Sequence, residues 1–196
     1  DVGAGFGTFC QEMKKMSFVG RIIAVEPNPE LAETCRKKGI ETIGRRIEDI
    51  TFGQPVDIIA SFEVIEHLFS PKDFVIGCAS ALSKNGIVIL TAPNIKGFDI
   101  ITLRELSDSI DTEHLNYFHP ESLSYLLENH GFRVIDKMTP GKLDAELVRK
   151  KILERKFDVP DYSFLKQILI ESWEKVGGHF QKFLSSCYEF SLLLFT

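Results

Sequence analysis

The sequence predicts an α/β fold with a doubly wound, mainly parallel sheet. Short apolar runs rich in β-branched residues alternate with amphipathic segments up to residue 138. These runs lack a regular polar alternation, which is typical of strands that helices cover on both faces. Right-handed crossovers between such strands give a doubly wound sheet, and ligands of such sheets bind beyond the carboxyl ends of the strands.

The elements follow one another as strands and helices in turn. The strand candidates are RIIAVE (21–26), ETIGRRI (41–47), VDIIASF (56–62), GIVILTA (86–92) and FRVIDKM (132–138). The helix candidates are TFCQEMKKM (8–16), PELAETCRKK (29–38), PKDFVIGCASALS (71–83) and PESLSYLLENH (120–130). Proline suits the first position of a helix and glycine commonly follows the last, which sets most of these boundaries.

The pattern changes after residue 140, where residues 142–156 and 161–184 favour two further helices. We therefore expect a core of residues 1–140, whose first strand is truncated at Asp1. A helical insert or lid should span residues 141–190, and residues 191–196 should add a last strand to the core sheet. The insert has an apolar stripe that must be buried, either on the core, in a homodimer interface or as a lid over an apolar substrate.

Composition excludes several classes of protein. The chain has 196 residues, 44% of them hydrophobic, which is enough for one domain with its own core. The net charge is −5 without a basic stripe, which argues against a nucleic-acid surface. The four cysteines lie far apart without a CxxC pair, which indicates reduced thiols in a cytoplasmic protein. No apolar run reaches the roughly 20 residues of a membrane span.

A glycine-rich loop and a later acid point to a nucleotide-like ligand. Glycines at positions 3, 5 and 7 of DVGAGFG let a ligand approach the backbone closely, just before a helix. Glu26 ends the next strand, where its carboxylate can accept hydrogen bonds from both hydroxyls of a ribose. Dinucleotide-dependent dehydrogenases and methyltransferases share this combination.

The spacing separates these two classes. The loop reads GxGxG after Asp1, whereas the dinucleotide fingerprint is GxGxxG. This loop resembles the first motif of class I S-adenosylmethionine (SAM)-dependent methyltransferases. Four more segments resemble this family in the same order: RIIAVEPNP with RRIEDI, VDIIASFEVIEHL, LSKNGIVILTAPN, and EHLNYFHPESLSYLLENHGF. The likeness is greatest to the ubiquinone-biosynthesis type of O-methyltransferase, and it implies a Rossmann-like sheet with SAM as cofactor.

The resemblance also implies which residues contact SAM. They are Asp1, Gly3, Ala4, Gly5, Gly7, Glu26, Pro27, Ile47, Glu48, Phe62 and Glu63. One position departs from the family, since many relatives have an aspartate where this chain has Arg46. The adenine amino group should then meet Glu48, Asp49 or the backbone of Ile47; alternatively, the two acids only cap the turn that follows.

The EVIEH segment supplies the candidate catalytic residues Glu63, Glu66 and His67. Within a helical turn their spacing places them on one face, where they can act as a general base or bind a divalent cation such as Mg²⁺. The segment resembles an ExxEH motif associated with a metal in ubiquinone-pathway and small-RNA 2′-O-methyltransferases. In the RNA enzymes a later histidine joins the site, and His114 matches it. The expected metal ligands are therefore Glu63, Glu66, His67 and His114, with a purely structural role as the alternative.

Together these features predict a SAM-dependent methyltransferase that O-methylates a small-molecule, sugar or lipid-like acceptor. Two alternatives remain at this point. One is a metal-dependent enzyme like the small-RNA 2′-O-methyltransferases, and the other is a pseudo-enzyme that binds the cofactor without turnover. A nicotinamide-dependent oxidoreductase is disfavoured because GxGxxG is absent.

Overall fold

The computed structural model describes residues 1–139, 144–160, 163–175, 177–179 and 193–195, and it confirms the α/β class. The strands are β1 (Ile23–Val25), β2 (Glu41–Ile43), β3 (Val56–Phe62), β4 (Leu82–Thr91), β5 (Val134–Asp136) and β6 (Leu193–Phe195). The helices are α1 (Thr8–Met13), α2 (Pro29–Lys37), α3 (Pro71–Ala81), α4 (Phe98–Leu103), α5 (Pro120–Glu128), α6 (Asp144–Leu153) and α7 (Phe164–Lys166).

The strands form two hydrogen-bonded groups that Val2 joins. β1 pairs with β2 in parallel, and the other four strands lie in the order β3-β4-β6-β5. β3 and β4 are parallel, whereas β6 runs antiparallel to both of its neighbours. Val2 bridges to Val25 and donates its N–H to the carbonyl of Ala60 at 2.8 Å. The loop after Val2 therefore lies between the carboxyl ends of β1 and β3.

Helix starts follow the expected capping chemistry. Asn28 Oδ1 accepts the N–H groups of Glu30 and Leu31 at the start of α2, and Ser70 Oγ accepts that of Asp73 at the start of α3. The sequence placed the end of α3 at residue 83, but the helix ends at Ala81. Leu82 already pairs with Val56, so β4 begins directly after the helix.

The main core lies between the sheet and its covering helices. Ile59 of β3 and Val88 and Leu90 of β4 pack with Phe74 and Val75 of α3 and with the leucines of α5. β1 and β2 are shorter than the predicted strands 21–26 and 41–47. The chain leaves β2 after Ile43 and forms a 3₁₀ turn over Ile47–Asp49.

A smaller core attaches the insert to α4, a helix that the strand-and-helix pattern did not predict. Phe98 and Leu103 of α4 pack with Ala145 and Val148 of α6 and with Leu169 of a π-helical turn, Gln167–Glu171. In the insert, residues 142–143, 161–162, 176 and 180–184 of the predicted helices lie outside the described residues. None of the described helices is long and apolar enough to cross a membrane.

Candidate active site

The glycine loop packs directly against the EVIEH segment. Gly3 has φ +74°, and a Cβ there would lie 2.3 Å from Val64 Cγ2, so only glycine fits. At Gly5, by contrast, no heavy atom of the described chain lies within 4 Å of a Cβ position. Ala4 and Gly7 are buried in the same loop, and the Asp1 carboxylate below it accepts a hydrogen bond from Cys10 Sγ. The loop therefore leaves an open cradle above Gly5.

Glu26 lies beside this cradle with its carboxylate in two hydrogen bonds. Oε2 accepts the N–H of Gly5 at 2.8 Å, and Oε1 accepts the N–H of Asn28 at 2.9 Å. The residue is 6% exposed, while Pro27 next to it is exposed. Each carboxylate oxygen keeps one further lone-pair site, which is the acceptor capacity that two ribose hydroxyls require.

The turn Ile47–Asp49 supplies the predicted adenine end. Ile47 is buried, and the guanidinium of Arg46 lies 3.0 Å from Asp49 Oδ2 and 3.5 Å from Glu48 Oε1. Arg46 thus neutralises much of the charge of both acids. α3 packs closely beneath this turn, because a Cβ on Gly77 would lie 2.9 Å from the backbone nitrogen of Glu48.

A surface cavity of about 630 Å³ runs between this turn and α3. Glu48 lies on its wall near the predicted adenine end, and His67 lies on its wall near the EVIEH segment. The glycine loop is not part of this wall. The cavity therefore connects two of the predicted subsites without enclosing the third.

The EVIEH segment forms a 3₁₀ turn over Ile65–His67, and this separates its two glutamates. Glu63 has φ +53° and is exposed, with its N–H bonded to Thr91. Glu66 is 1% exposed. The expectation that all three side chains share one helical face is therefore wrong, because residues 63–67 are not α-helical. Phe62 just before them is half-buried and contacts Phe9 edge-on, with ring centroids 5.0 Å apart.

Glu66 is a buried carboxyl group without a hydrogen-bond partner. Among the described residues, nothing bonds to either of its carboxylate oxygens. Burial raises the pKa of Glu66 to about 7, and the nearby charge of Glu63 adds to the rise. A carboxyl group with such a pKa exchanges its proton near neutral pH, which is the property of a general base.

His67 and His114 face Glu66 with defined ring orientations. His67 Nδ1 lies 3.0 Å from the Glu113 carbonyl, and His114 Nδ1 lies 2.9 Å from the Ser109 carbonyl. A carbonyl only accepts hydrogen bonds, so Nδ1 carries the proton in both neutral rings and Nε2 keeps its lone pair. The ring centroids are 4.7 Å apart, and His67 Nε2 lies 3.9 Å from Glu66 Oε1.

Glu66, His67 and His114 therefore form one cluster, which we call the acceptor triad. One ligand atom from each lies within 4.8 Å of the other two, an arrangement that can hold a metal ion. Glu63, which the sequence included among the metal ligands, is not part of this group. The ligand atoms that the triad brings together are hydrogen-bond acceptors with lone pairs. A proton or a metal cation between them would offset their mutual repulsion.

Asn116 was not predicted, although it belongs to the EHLNYF string. Its N–H donates to the Glu66 carbonyl at 2.9 Å, and its side-chain amide donates to the Leu68 carbonyl at 2.6 Å. These bonds tie the His114 loop to the EVIEH turn. The two halves of the triad, 47 positions apart in sequence, meet for this reason.

A profile of the methyltransferase domain family matches residues 1–137. The chain belongs to this family, that of the class I SAM-dependent methyltransferase domain. SAM is the expected cofactor of the family, and the cradle at Gly5 beside Glu26 fits its ribose.

Two curated relatives are both named ubiquinone biosynthesis O-methyltransferase. The protein from Caulobacter sp. (strain K31) is 32% identical over 101 residues, which cover 48% of this chain and 40% of the relative. The protein from Bartonella quintana (strain Toulouse) is 27% identical over 154 residues, which cover 70% and 61%. The chain thus spans less than two thirds of the length of either relative.

Among solved structures, a Haloferax volcanii protein in complex with the Trm112 methyltransferase activator is similar over the whole chain. The TM-score is 0.68 at 15% identity, and the match covers 100% of this chain and 80% of the other. At this identity the likeness concerns the fold alone.

Proposed function

We propose that this protein transfers the methyl group of SAM to a hydroxyl group of a small-molecule, sugar or lipid-like acceptor. In this proposal residues 1–140 bind the cofactor, and the described part of the insert supports the site by packing on α4. The observation that carries the proposal is the acceptor triad, in which a buried, unpartnered Glu66 lies with one carboxylate oxygen within 4.8 Å of a ring nitrogen of each of two histidines.

The cofactor part of the proposal rests on the loop and its partners. The ribose hydroxyls of SAM would donate to Glu26, and the open space at Gly5 would take the adjacent part of the ligand. The adenine would lie towards Ile47 and Glu48. Arg46 donates a hydrogen bond to the Asp49 carboxylate and lies farther from the Glu48 carboxylate. We therefore assign the adenine contact to Glu48 rather than to Asp49.

The chemical step is an in-line displacement at the methyl carbon. The acceptor oxygen would form a bond to that carbon while the carbon–sulfur bond breaks. The electron pair of the broken bond would stay on sulfur, which leaves as neutral S-adenosylhomocysteine. The hydroxyl must lose its proton, because a neutral alcohol is a weak nucleophile. Glu66 can accept that proton at a carboxylate oxygen that no described residue bonds to. His67 can accept it at Nε2, because its Nδ1–H is held by the Glu113 carbonyl.

A divalent cation also fits the triad. Two imidazole Nε2 atoms and a carboxylate are a common donor set, and each imidazole has its Nδ1–H held by a backbone carbonyl, as metal-binding histidines usually do. A cation bound there would polarise the acceptor oxygen and lower the pKa of its hydroxyl. Glu66, His67 and His114 would hold it, without Glu63.

The test is SAM turnover with matched acceptors. We expect S-adenosylhomocysteine to form with hydroxyl compounds such as catechols, hexoses or polyprenyl phenols. The corresponding amines serve as controls: a neutral amine is already a nucleophile, so His67→Ala should slow methylation of the hydroxyl compound far more than that of the amine. Hydroxyl turnover that His67→Ala leaves intact, or SAM binding without turnover on any hydroxyl compound, would contradict the proposal.

A further inference from the structure

A buried carboxylate holds the loop that precedes His114. Asp99 is 5% exposed, and its Oδ2 accepts the hydroxyl of Ser107 at 2.7 Å and that of Ser109 at 3.3 Å. A buried carboxylate needs hydrogen bonds in place of its lost hydration. The two serines provide them, so Asp99 fixes both ends of the turn over residues 107–109.

Ser109 connects this turn to the active site. Its N–H donates to Ser107 Oγ at 3.2 Å, and its carbonyl oxygen lies 2.9 Å from His114 Nδ1. The place of this one carbonyl decides the orientation of the His114 ring. It also decides which nitrogen of the ring carries the proton.

We propose that Asp99 is a positioning residue for His114. Through the serine hydroxyls it holds the Ser109 carbonyl, which keeps His114 in the Nδ1–H tautomer with the Nε2 lone pair towards the triad. The catalytic meaning of this role rests on the proposed function, whereas the tautomer itself does not.

The neighbouring contacts make Asp99 a firm support. α4 carries Asp99 in its first turn and packs through Phe98 and Leu103 against the insert. Asp108, between the two serines, forms an ion pair with Lys151 of α6. Groups that are fixed by a packed element hold a site more accurately than groups on a loop alone.

A second acid, Asp111, supports the backbone of His114 rather than its ring. Asp111 Oδ1 accepts the N–H groups of Glu113 and His114 at 2.8 and 2.9 Å. Its other oxygen lies 3.7 Å from His114 Nδ1, beyond hydrogen-bond distance. Loss of Asp99 should therefore leave the His114 backbone in place and release the ring.

The test records ¹⁵N spectra of the histidine side chains in the full chain at pH 8.5, with S-adenosylhomocysteine binding and melting temperature measured beside them. In the wild type, His114 should show one neutral tautomer with the proton on Nδ1. In Asp99→Ala the two nitrogen shifts should converge towards an average, with cofactor affinity changed less than twofold. Asp99→Asn should restore the wild-type spectrum, because its amide oxygen can accept both hydroxyls.

Asp57→Ala is the matched control, since it removes another aspartate–serine bond, Asp57 Oδ1 to Ser83 Oγ at 3.1 Å, outside the triad. It should leave the His114 shifts unchanged. A folded Asp99→Ala protein that keeps the wild-type tautomer would overturn the proposal. If that variant does not fold, Ser109→Ala decides in the same way: an averaged spectrum supports the proposal, and an unchanged one rejects it. The spectra need no turnover, so this result is separate from that of the acceptor assay.

Discussion

At the scale of single residues, Glu66 should make stability depend on pH. Its pKa is about 7 in the folded protein, above the ordinary 4.5 of the unfolded chain. The folded state therefore binds this proton more tightly, and the associated stability is complete below pH 4.5 and lost as the pH rises to about 7. At 1.36 kcal/mol per pKa unit the loss is on the order of 3 kcal/mol.

Glu66→Gln should remove this contribution, because an amide stays neutral. We expect the free energy of unfolding of the variant, relative to wild type, to rise between pH 5 and pH 8 in urea titrations at each pH. The metal-free protein should be used, since a bound cation would stabilise the charged carboxylate. A difference that stays constant over this range would mean that Glu66 ionises normally.

Glu26 provides a second prediction at this scale. Glu26→Ala removes a charged acceptor, which should weaken S-adenosylhomocysteine binding by about 1.5–3 kcal/mol, or roughly 10- to 150-fold. Calorimetry measures this directly. Glu33→Ala is the control, since Glu33 is an exposed acid of α2 that pairs with Arg36, and this variant should bind normally. Unchanged affinity in the Glu26 variant would contradict the cofactor site.

The sequence could identify the chemistry of the site but not all of its members. The EVIEH and EHLNYF strings were both predicted to contribute to the site, because each combines imidazole with carboxylate, and each contains a triad residue. Glu63 lies outside the triad, and its positive φ could not be read from spacing alone, so its predicted roles at the cofactor and in catalysis stay predictions. Asp99 was missed, because a lone aspartate at the start of a short helix has no distinguishing pattern.

At the scale of elements, the close approach of α3 to the turn Ile47–Asp49 can be tested. A methyl group on Gly77 would lie 2.9 Å from the Glu48 backbone, so Gly77→Ala must displace the turn or the helix. Overpacking of this kind costs about 1–3 kcal/mol in stability. We also expect cofactor affinity to fall several-fold, because the proposed adenine contacts lie on this turn.

Gly53→Ala is the matched control for this substitution. No described heavy atom lies within 4 Å of a Cβ at Gly53, so melting temperature and affinity should stay near wild type. If Gly77→Ala behaves like Gly53→Ala, the turn is not coupled to α3 and the adenine assignment loses its support.

Element prediction succeeded where one physical signal dominated. The apolar run 56–62 became β3 with the same bounds, and its residues 59–61 are buried on both faces. β1 and β5 are shorter than predicted, since the apolar runs begin at Ile22 and Phe132, before the first paired positions. α4 was missed because it is short and its apolar residues face the insert, a partner that local periodicity cannot reveal.

At the scale of the whole molecule, one arrangement links fold and chemistry. The carboxyl ends of β1 and β3 meet at the glycine loop, and Gly3 packs on Val64 of the EVIEH segment. The cofactor cradle and the acceptor triad are therefore neighbours. The order of the motifs was enough to predict that the cofactor site lies at this edge of the sheet. The contact of residues 66–67 with residue 114 depends on the path of a long loop, which local sequence patterns do not define.

The central claim is that the triad activates the acceptor hydroxyl, and methyl-transfer kinetics test it most directly. With a hydroxyl acceptor, His67→Ala should lower kcat by about 10²–10⁴ while SAM affinity stays near wild type. A chelator should abolish wild-type activity, with recovery on adding a divalent cation, if a metal is held there, and it should have no effect if the proton passes to the protein.

His130→Ala is the control for this measurement. His130 also bonds a backbone carbonyl, that of Leu126 at 2.7 Å, but it lies after α5 and outside the triad, so its loss should leave kcat unchanged. The account predicts a large fall in kcat for His67→Ala and for Glu66→Gln, and no fall for His130→Ala. Full activity in both of these variants would contradict it, and the triad would then be structural.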